Sequence, residues 1–330
     1  MKCSTELKNK RKIPVVVVFA PTASGKTSLA EKLFASDAVS PLGGRGEIVS
    51  ADSMQVYKGM NIGTAKPDAD FLRRLPHHLI DVCLPSYQFG VGEFIDKADA
   101  ACEDIYSRGK LPIVLGGTSF YIRNFLYGLP TTPTATEEVR CHLRKRLKIE
   151  GLSVLYTELQ AVDEIAAAKI HPNDEYRILR ALEVYYASGM PLSSFELSQK
   201  LREKYFFLPI GLVREREELY KRIDGRVDLM FQQGLWDEFY RLLQDGYTKD
   251  SPGMQAIGYR EFFMTNKSPY DSDFITKKEE IRLLIKKNTR HYAKKQLTFF
   301  NSLKDVNRFF ADDIKEIERK VLDFMNLYLT

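Results

Sequence analysis

The chain has 330 residues, 44% hydrophobic and 28% charged, with 49 Lys+Arg against 44 Asp+Glu for a net charge of +5. Those proportions exclude a largely disordered chain, and the length suits about two domains, or one large domain with an insertion. Cys3, Cys83, Cys102 and Cys141 are scattered without a CxxC pair, which points to reduced thiols rather than a disulfide framework or a zinc site. The start is polar and basic, and the apolar run after it is too short to span a membrane. No signal peptide or membrane contact is expected, and the expected location is the cytoplasm.

Ile13 to Phe19 is a β-branched run that predicts a buried parallel strand. A turn at 20–25 leads into a helix over 26–35. Glu47 to Ala51 predicts a second strand, ending at Asp52. Apolar spacing at Phe94, Ala98, Ala101 and Ile105 predicts a helix over 92–108, stopped at Gly109. Leu111 to Leu115 is a third buried strand, running into Gly116-Gly117-Thr118 and a helix stopped at Gly128. Strands alternating with helices through tight glycine turns predict an α/β fold, a parallel sheet with helices on both faces. Ligands in such sheets sit at the carboxyl ends of the strands.

After a linker at 129–136 the strand pattern stops, and helices are predicted over 137–150, 152–170 and 174–188. The last is bounded by Asn173 or Asp174 as cap and Gly189 as stop. A strand returns at 206–213. From Leu219 onward the chain reads as helical, ending in a long helix around 275–300. The expected organisation is a core in two parts, 12–130 and 204–330, around a helical insertion domain at 131–203.

The first turn carries the clearest chemistry. Ala20-Pro21-Thr22-Ala23-Ser24-Gly25-Lys26-Thr27 fits the phosphate-loop pattern G-x-x-x-x-G-K-[ST], with Ala20 at the place of the first glycine. Backbone N–H groups of the loop and helix start converge on one anion. Lys26 would reach the terminal phosphate oxygens, and the Thr27 hydroxyl can ligate Mg²⁺. The expected core is therefore P-loop NTPase-like. The strand 113–115 ends in glycines, not in the Asp that holds Mg²⁺ in motor-type ATPases. Asp52, at the second strand end, is either a functional carboxylate (metal partner, substrate anchor or general base) or a turn cap. The Gln55 amide could read the edge of a base, and Thr118 is either a ligand contact or a helix cap.

Several blocks then run in order along the chain. They are the loop 20–27, Asp52-Ser53-Met54-Gln55-Val56-Tyr57-Lys58-Gly59-Met60, Ile62-Gly63-Thr64-Ala65-Lys66-Pro67 and Gly116-Gly117-Thr118-Ser119-Phe120-Tyr121. Later blocks are Arg177-Ile178-Leu179-Arg180, Gln255-Ala256-Ile257-Gly258-Tyr259-Arg260 and Thr289-Arg290-His291-Tyr292-Ala293-Lys294-Lys295-Gln296. Together they resemble the tRNA dimethylallyltransferases, the bacterial tRNA isopentenyltransferase family. The resemblance implies an enzyme that transfers a dimethylallyl group from dimethylallyl diphosphate to N6 of the adenosine 3′ to the anticodon. The substrates would be tRNAs reading codons that begin with U, and diphosphate would be released. It implies Mg²⁺ as cofactor, the tRNA anticodon stem-loop as partner, and a monomer.

By that resemblance Asp52, Thr118 and Lys26 are catalytic. Ala20, Pro21, Thr22, Ala23, Ser24, Gly25, Lys26, Thr27 and Arg260 hold the diphosphate, with Thr27 on the metal. The tRNA contacts it implies are Asp52, Ser53, Met54, Gln55, Thr118, Arg140, Tyr176, Arg177, Ile178, Leu179 and Arg180. Further along they are Gln255, Ala256, Ile257, Gly258, Tyr259, Arg260, Arg290, Lys294, Lys295 and Gln296. Tyr176 stands where the family commonly has Gln, and Phe299 and Asn301 where it has Trp and Arg. Lys278, Arg282, Lys286, Arg290 and Lys294 recur at i+4 and would form a slanting basic ridge. On the residues alone that ridge is a solvated face; beside the resemblance it becomes a phosphate-contacting surface. The rival activities are a free-nucleotide prenyltransferase, a small-molecule kinase with the same loop, and a non-catalytic RNA-binding module.

Overall fold

A computed structural model of the chain describes residues 12–133, 135–195, 198–264 and 274–329. Strand β1 (Ile13–Phe19) is buried at every position and ends in the 20–25 turn. Helix α1 (Lys26–Phe34) follows, with Gly25 as its cap at φ 103°, a backbone angle that glycine adopts without strain. Next come β2 (Gly46–Ala51), α2 (Ala69–Arg74), β3 (His77–His78), α3 (Val91–Ser107), β4 (Leu111–Gly116) and α4 (Ser119–Tyr127). The helical stretch holds α5 (Glu137–Glu150), α6 (Leu152–Val162), α7 (Glu164–Ala167) and α8 (Glu175–Ser188). The chain continues through β5 (Tyr205–Val213), α9 (Arg216–Gln232), α10 (Leu235–Gln244), α11 (Phe274–Asn301), β6 (Asn307–Phe310) and α12 (Ile314–Tyr328).

The described strands form one parallel sheet in the order β3-β2-β4-β1-β5-β6. β1 lies at its centre, with Val18 opposite Leu115 of β4 and Ile210 of β5. Being covered on both faces, these strands read as unbroken apolar runs. Val16 and Val18 share one core with Leu29 and Leu33 of α1 and with Ile317 and Val321 of α12. α3 packs on β1, β2 and β4, and its buried stripe (Phe94, Ala98, Cys102, Ile105) lies outside that core, so it covers the opposite face. Phe94 stacks on Tyr121 of α4 at 4.1 Å.

Two expectations are corrected here. The helix expected over 152–170 is broken at Asp163, whose buried carboxylate accepts from Ala166 N at 2.9 Å and from Ser193 N at 2.8 Å. A side-chain cap there competes with continuing the helix. The uniformly helical stretch after Leu219 is interrupted by β6, which alternates half-buried and exposed residues and extends the sheet beyond β5.

The chain divides into two compact units. One holds the described residues up to Leu126 together with the chain from Arg202 on; the other is Tyr127–Leu201. The second unit is α-helical, with its own core of Leu143, Leu155, Leu159, Ile178 and Leu182. In the first unit, Arg202 N donates to Leu126 O at 2.9 Å, and the Arg202 guanidinium grips both oxygens of Asp99. No helix among the described residues is long and apolar enough to cross a membrane.

Candidate active site

The carboxyl ends of β1, β2 and β4 open into one cavity of about 1080 Å³. Its walls come from the 22–28 turn, residues 50–55, the 63–68 segment, Gly116-Gly117, and one face each of α9 and α11. All of these belong to the first unit.

The 20–25 turn is wrapped by cations that take its carbonyl groups. Lys26 Nζ donates to Ala20 O at 2.8 Å and Pro21 O at 2.7 Å. From α9, Arg222 donates to Ala23 O at 2.9 Å and Arg226 to the Thr22 hydroxyl at 3.2 Å. Arg214, just after β5, donates to Ser24 O at 3.2 Å and pairs with Asp312 at 3.0 Å and with Glu218. Ala23 and Gly25 both have positive φ, 62° and 103°. Gln296 takes Thr22 N and Pro21 O takes Ser24 N; the N–H groups of Gly25, Lys26 and Thr27 at the start of α1 are the ones such a loop turns toward phosphate. Burial lowers the Lys26 ammonium to about 7, with Arg226 adding to the fall and Asp52 opposing it. Burial also lowers Arg226, while Asp52 raises it and Arg222 lowers it. Crowded, desolvated cations of this kind are relieved by a bound polyanion.

A second part of the wall sets the Asp52 carboxylate among uncharged polar side chains. Asp52 Oδ1 accepts from Met54 N at 2.9 Å and Gln55 N at 3.3 Å, so it caps its own turn and still faces the cavity. The Thr118 hydroxyl accepts from Ser53 N at 2.9 Å and contacts Ser53 Oγ at 3.2 Å. Gln55 Nε2 donates to Ala65 O at 3.3 Å, and its Oε1 accepts from Ser50 Oγ at 3.3 Å. Tyr292 of α11 bonds Thr118 and Gln296; burial first, then the charge of Asp52, raise its phenol to about 12, so it keeps its proton. Gln296, 2% exposed, accepts from Thr22 N at 3.0 Å and donates to Gly117 O at 2.6 Å. It thereby ties the first turn to the end of β4.

The structure gathers Lys26, Thr27, Asp52, Ser53, Met54, Gln55, Gln255, Ala256, Ile257, Gly258, Arg260, Lys295 and Gln296 around this cavity. Thr118 stands behind the wall and acts on Ser53, while Tyr259 is fully buried beneath Gly63. Of the expected tRNA contacts on α8, Ile178 is buried in the helical unit's core and Leu179 is half-buried against it. Arg180 is engaged by Glu183, Thr132 and Pro133 O, and Arg140 lies beside Glu137 and Glu183. Arg177 and Tyr176 are open to solvent, Tyr176 at 79%.

The basic ridge on α11 is largely neutralised. Arg282 and Lys286 pair with Asp228, and Arg290 with Asp224, both acids of α9. Its C-terminal end, with Lys294 and the neighbouring Lys295, is exposed without such a pair among the described residues. Sequence reasoning missed Arg222, Arg226 and Tyr292. Their signal was present: Arg222 and Arg226 are i, i+4, which puts both on one face of α9.

A magnesium ion fits this donor set. No group of three or more His, Cys, Asp or Glu among the described residues could cage a metal. Mg²⁺ at a phosphate site, however, takes one or two protein groups, several waters and the substrate's own phosphate oxygens. The Thr27 hydroxyl and the Asp52 carboxylate both line the cavity and meet that need.

Comparison with known proteins agrees with this geometry. A family model described as IPP transferase matches residues 55–303. The chain is 44% identical over 297 residues to tRNA dimethylallyltransferase 2 of Geotalea uraniireducens, covering 90% of this chain and 92% of that one. It is 41% identical over 320 residues to a tRNA dimethylallyltransferase of Thermoanaerobacter, covering 95% and 98%. Among solved structures, the tRNA isopentenylpyrophosphate transferase of Bacillus halodurans superposes with a TM-score of 0.64 at 36% identity, covering 96% of this chain and 98% of that one. A eukaryotic dimethylallyltransferase described as acting on tRNA gives 0.74 at 27% identity, covering 96% and 80%. The parallel sheet, the phosphate loop after its central strand and these matches along most of the chain lead to one conclusion: it belongs to the IPP transferase family, built on a P-loop NTPase-like core.

Proposed function

We propose that this chain transfers the dimethylallyl group of dimethylallyl diphosphate to N6 of the adenosine 3′ to the anticodon, in tRNAs that read codons beginning with U. The observation that carries the reading is one cavity lined both by a cation-wrapped phosphate loop and by the Asp52 carboxylate. The N6 lone pair attacks C1, the C1–O bond breaks, and diphosphate departs with the bonding electrons. As N6 becomes positive it loses a proton, and the Asp52 carboxylate is placed to take it.

Lys26, Arg222, Arg226 and the loop N–H groups meet the charge that grows on the leaving diphosphate. Mg²⁺, held by Thr27 and the diphosphate itself, would supply further charge neutralisation there. An allylic C1–O bond ionises readily, so positioning and leaving-group stabilisation carry most of the rate. A stacked anticodon-loop base must swing out to reach this depth. Exposed Lys294 and Lys295 on α11, and Arg177 and Tyr176 on α8, supply phosphate and stacking contacts for the surrounding RNA.

The test is incubation with labelled dimethylallyl diphosphate and either unmodified tRNA or AMP, beside labelled ATP. Label in tRNA is the expected result. Label in AMP alone, or phosphate transfer from ATP, would replace this reading with one of the rivals.

A further inference from the structure

Glu238 on α10 does not line the cavity and is only 3% exposed, yet its carboxylate gathers a set of donors. Asn61 N and Ile62 N reach its Oε2, both at 2.9 Å. Ile62 N and Gly63 N reach Oε1 at 3.0 Å, and the Tyr259 hydroxyl donates to Oε1 at 2.6 Å. Burial first, and then the Glu238 charge, raise the Tyr259 phenol, so it stays a donor. Arg241, 3.8 Å away and mostly exposed, is the nearest counter-charge. Three consecutive backbone N–H groups on one carboxylate fix the direction of the chain at that point.

From Gly63 onward the chain becomes cavity wall. Gly63, Thr64, Ala65, Lys66 and Pro67 all line it. The far end of the segment is tied separately: Lys66 Nζ, in a side chain 4% exposed, donates to Tyr57 O at 2.9 Å, Asn61 Oδ1 at 2.9 Å and Asp81 Oδ1 at 2.6 Å. Between the two ties, the Thr64 and Ala65 carbonyls receive the Gln55 amide. Gly63 leaves no room for slack, because a Cβ there would lie 2.4 Å from the Tyr259 ring.

We propose that Glu238 is a positioning residue for the acceptor end of the site: it pins residues 61–63 and so sets where Thr64 and Ala65 hold Gln55 against an incoming nucleobase. The idea rests on the transfer to a nucleobase proposed above. The diphosphate end is independent of it, since no bond of Glu238 reaches the 20–27 loop or α9. A glutamine at 238 would present an NH₂ to donors that need an acceptor. A general fold-stabilising role would weaken both ends alike; this role separates them.

The experiment compares wild type with Glu238→Gln and, as a milder change that keeps the ring beneath Gly63, Tyr259→Phe. Three quantities are read: amide exchange of residues 60–66, affinity for inorganic diphosphate, and KM for an anticodon stem-loop RNA. For Glu238→Gln the expected result is faster exchange at 60–66 and an acceptor KM raised about tenfold, with diphosphate affinity within twofold of wild type. Tyr259→Phe should move the same two quantities in the same direction by less. Unchanged exchange at 60–66, or diphosphate affinity falling in step with acceptor KM, overturns the proposal. A wild-type chain that binds diphosphate but modifies no RNA defeats the proposed function instead, while the exchange measurement still decides whether Glu238 pins the segment.

Discussion

At the diphosphate end of the cavity, Lys26, Arg214, Arg222 and Arg226 all point hydrogens at one six-residue turn. At the acceptor end, Ser53, Thr118 and Tyr292 are joined by neutral hydrogen bonds near Asp52, and Gln55 is held by Ser50 and the Thr64 and Ala65 carbonyls. The contrast reflects the ligand each end has to meet. A polyanion repays the crowding of desolvated cations, and their hydrogens rest on loop carbonyls until it arrives. A neutral base offers no such compensation, so its end of the site is specified by geometry, and each amide and hydroxyl is committed before the substrate enters.

The sharpest way to break that contrast is at Lys26. Lys26→Met should lower single-turnover transfer of labelled dimethylallyl by about 10³-fold, in the range of lost oxyanion-type stabilisation. Diphosphate affinity should fall with it, since one cation serves both ground state and transition state. Asp52→Asn keeps an oxygen for the Met54 and Gln55 amides but cannot take a proton. Transfer should fall about 10²-fold while stem-loop affinity stays within twofold; equal losses would make Asp52 an anchor instead of a base. Arg226→Gln should weaken inorganic diphosphate about tenfold, as loss of a hydrogen bond to a charged group does, leaving acceptor KM in place.

A smaller effect tests the cation end through binding alone. The free Lys26 amine sits at about 7, so above that pH it is mostly neutral, and a bound diphosphate draws a proton onto it. At pH 8, calorimetry in two buffers of different ionisation heat should show wild type taking up about one proton more than Lys26→Met. The sign is fixed: above pH 7 affinity falls as pH rises, by about tenfold per unit for one linked proton. An equal uptake in both proteins would mean the lysine is charged throughout. The smallest effect belongs to α11. Lys294→Ala with Lys295→Ala should flatten the salt dependence of stem-loop binding by about one to two phosphate equivalents. Arg282→Ala with Arg290→Ala should leave that slope nearly unchanged, because both side chains already pair with α9 acids.

Those α11 side chains also show where sequence reading stops. A row of cations at i+4 is plain in one dimension, but Asp224 and Asp228 lie on a different helix more than fifty residues earlier, and only packing α9 against α11 reveals that the row is spent. The same packing brings Arg222 and Arg226 to the phosphate loop from two hundred residues away. Local signals fared better. The loop 20–27, the strand end at Asp52 and the Asp174-to-Gly189 helix are written in consecutive residues, and the structure has them as read. β3 and β6 were illegible because two- and four-residue strands at the sheet edges carry no buried run. The resemblance implies Gln296 as a tRNA contact, but no local pattern announces that its amide bridges Thr22 and Gly117 inside the protein.

The bond from Arg202 N to Leu126 O has a practical consequence. The chain leaves the sheet-bearing unit and re-enters it at neighbouring points, so the seventy-five residues between can be replaced by a tight turn without stretching either end. Excising those helices should leave inorganic diphosphate affinity within twofold of the full chain, because every residue of the phosphate turn and of the cations around it lies in the unit that remains.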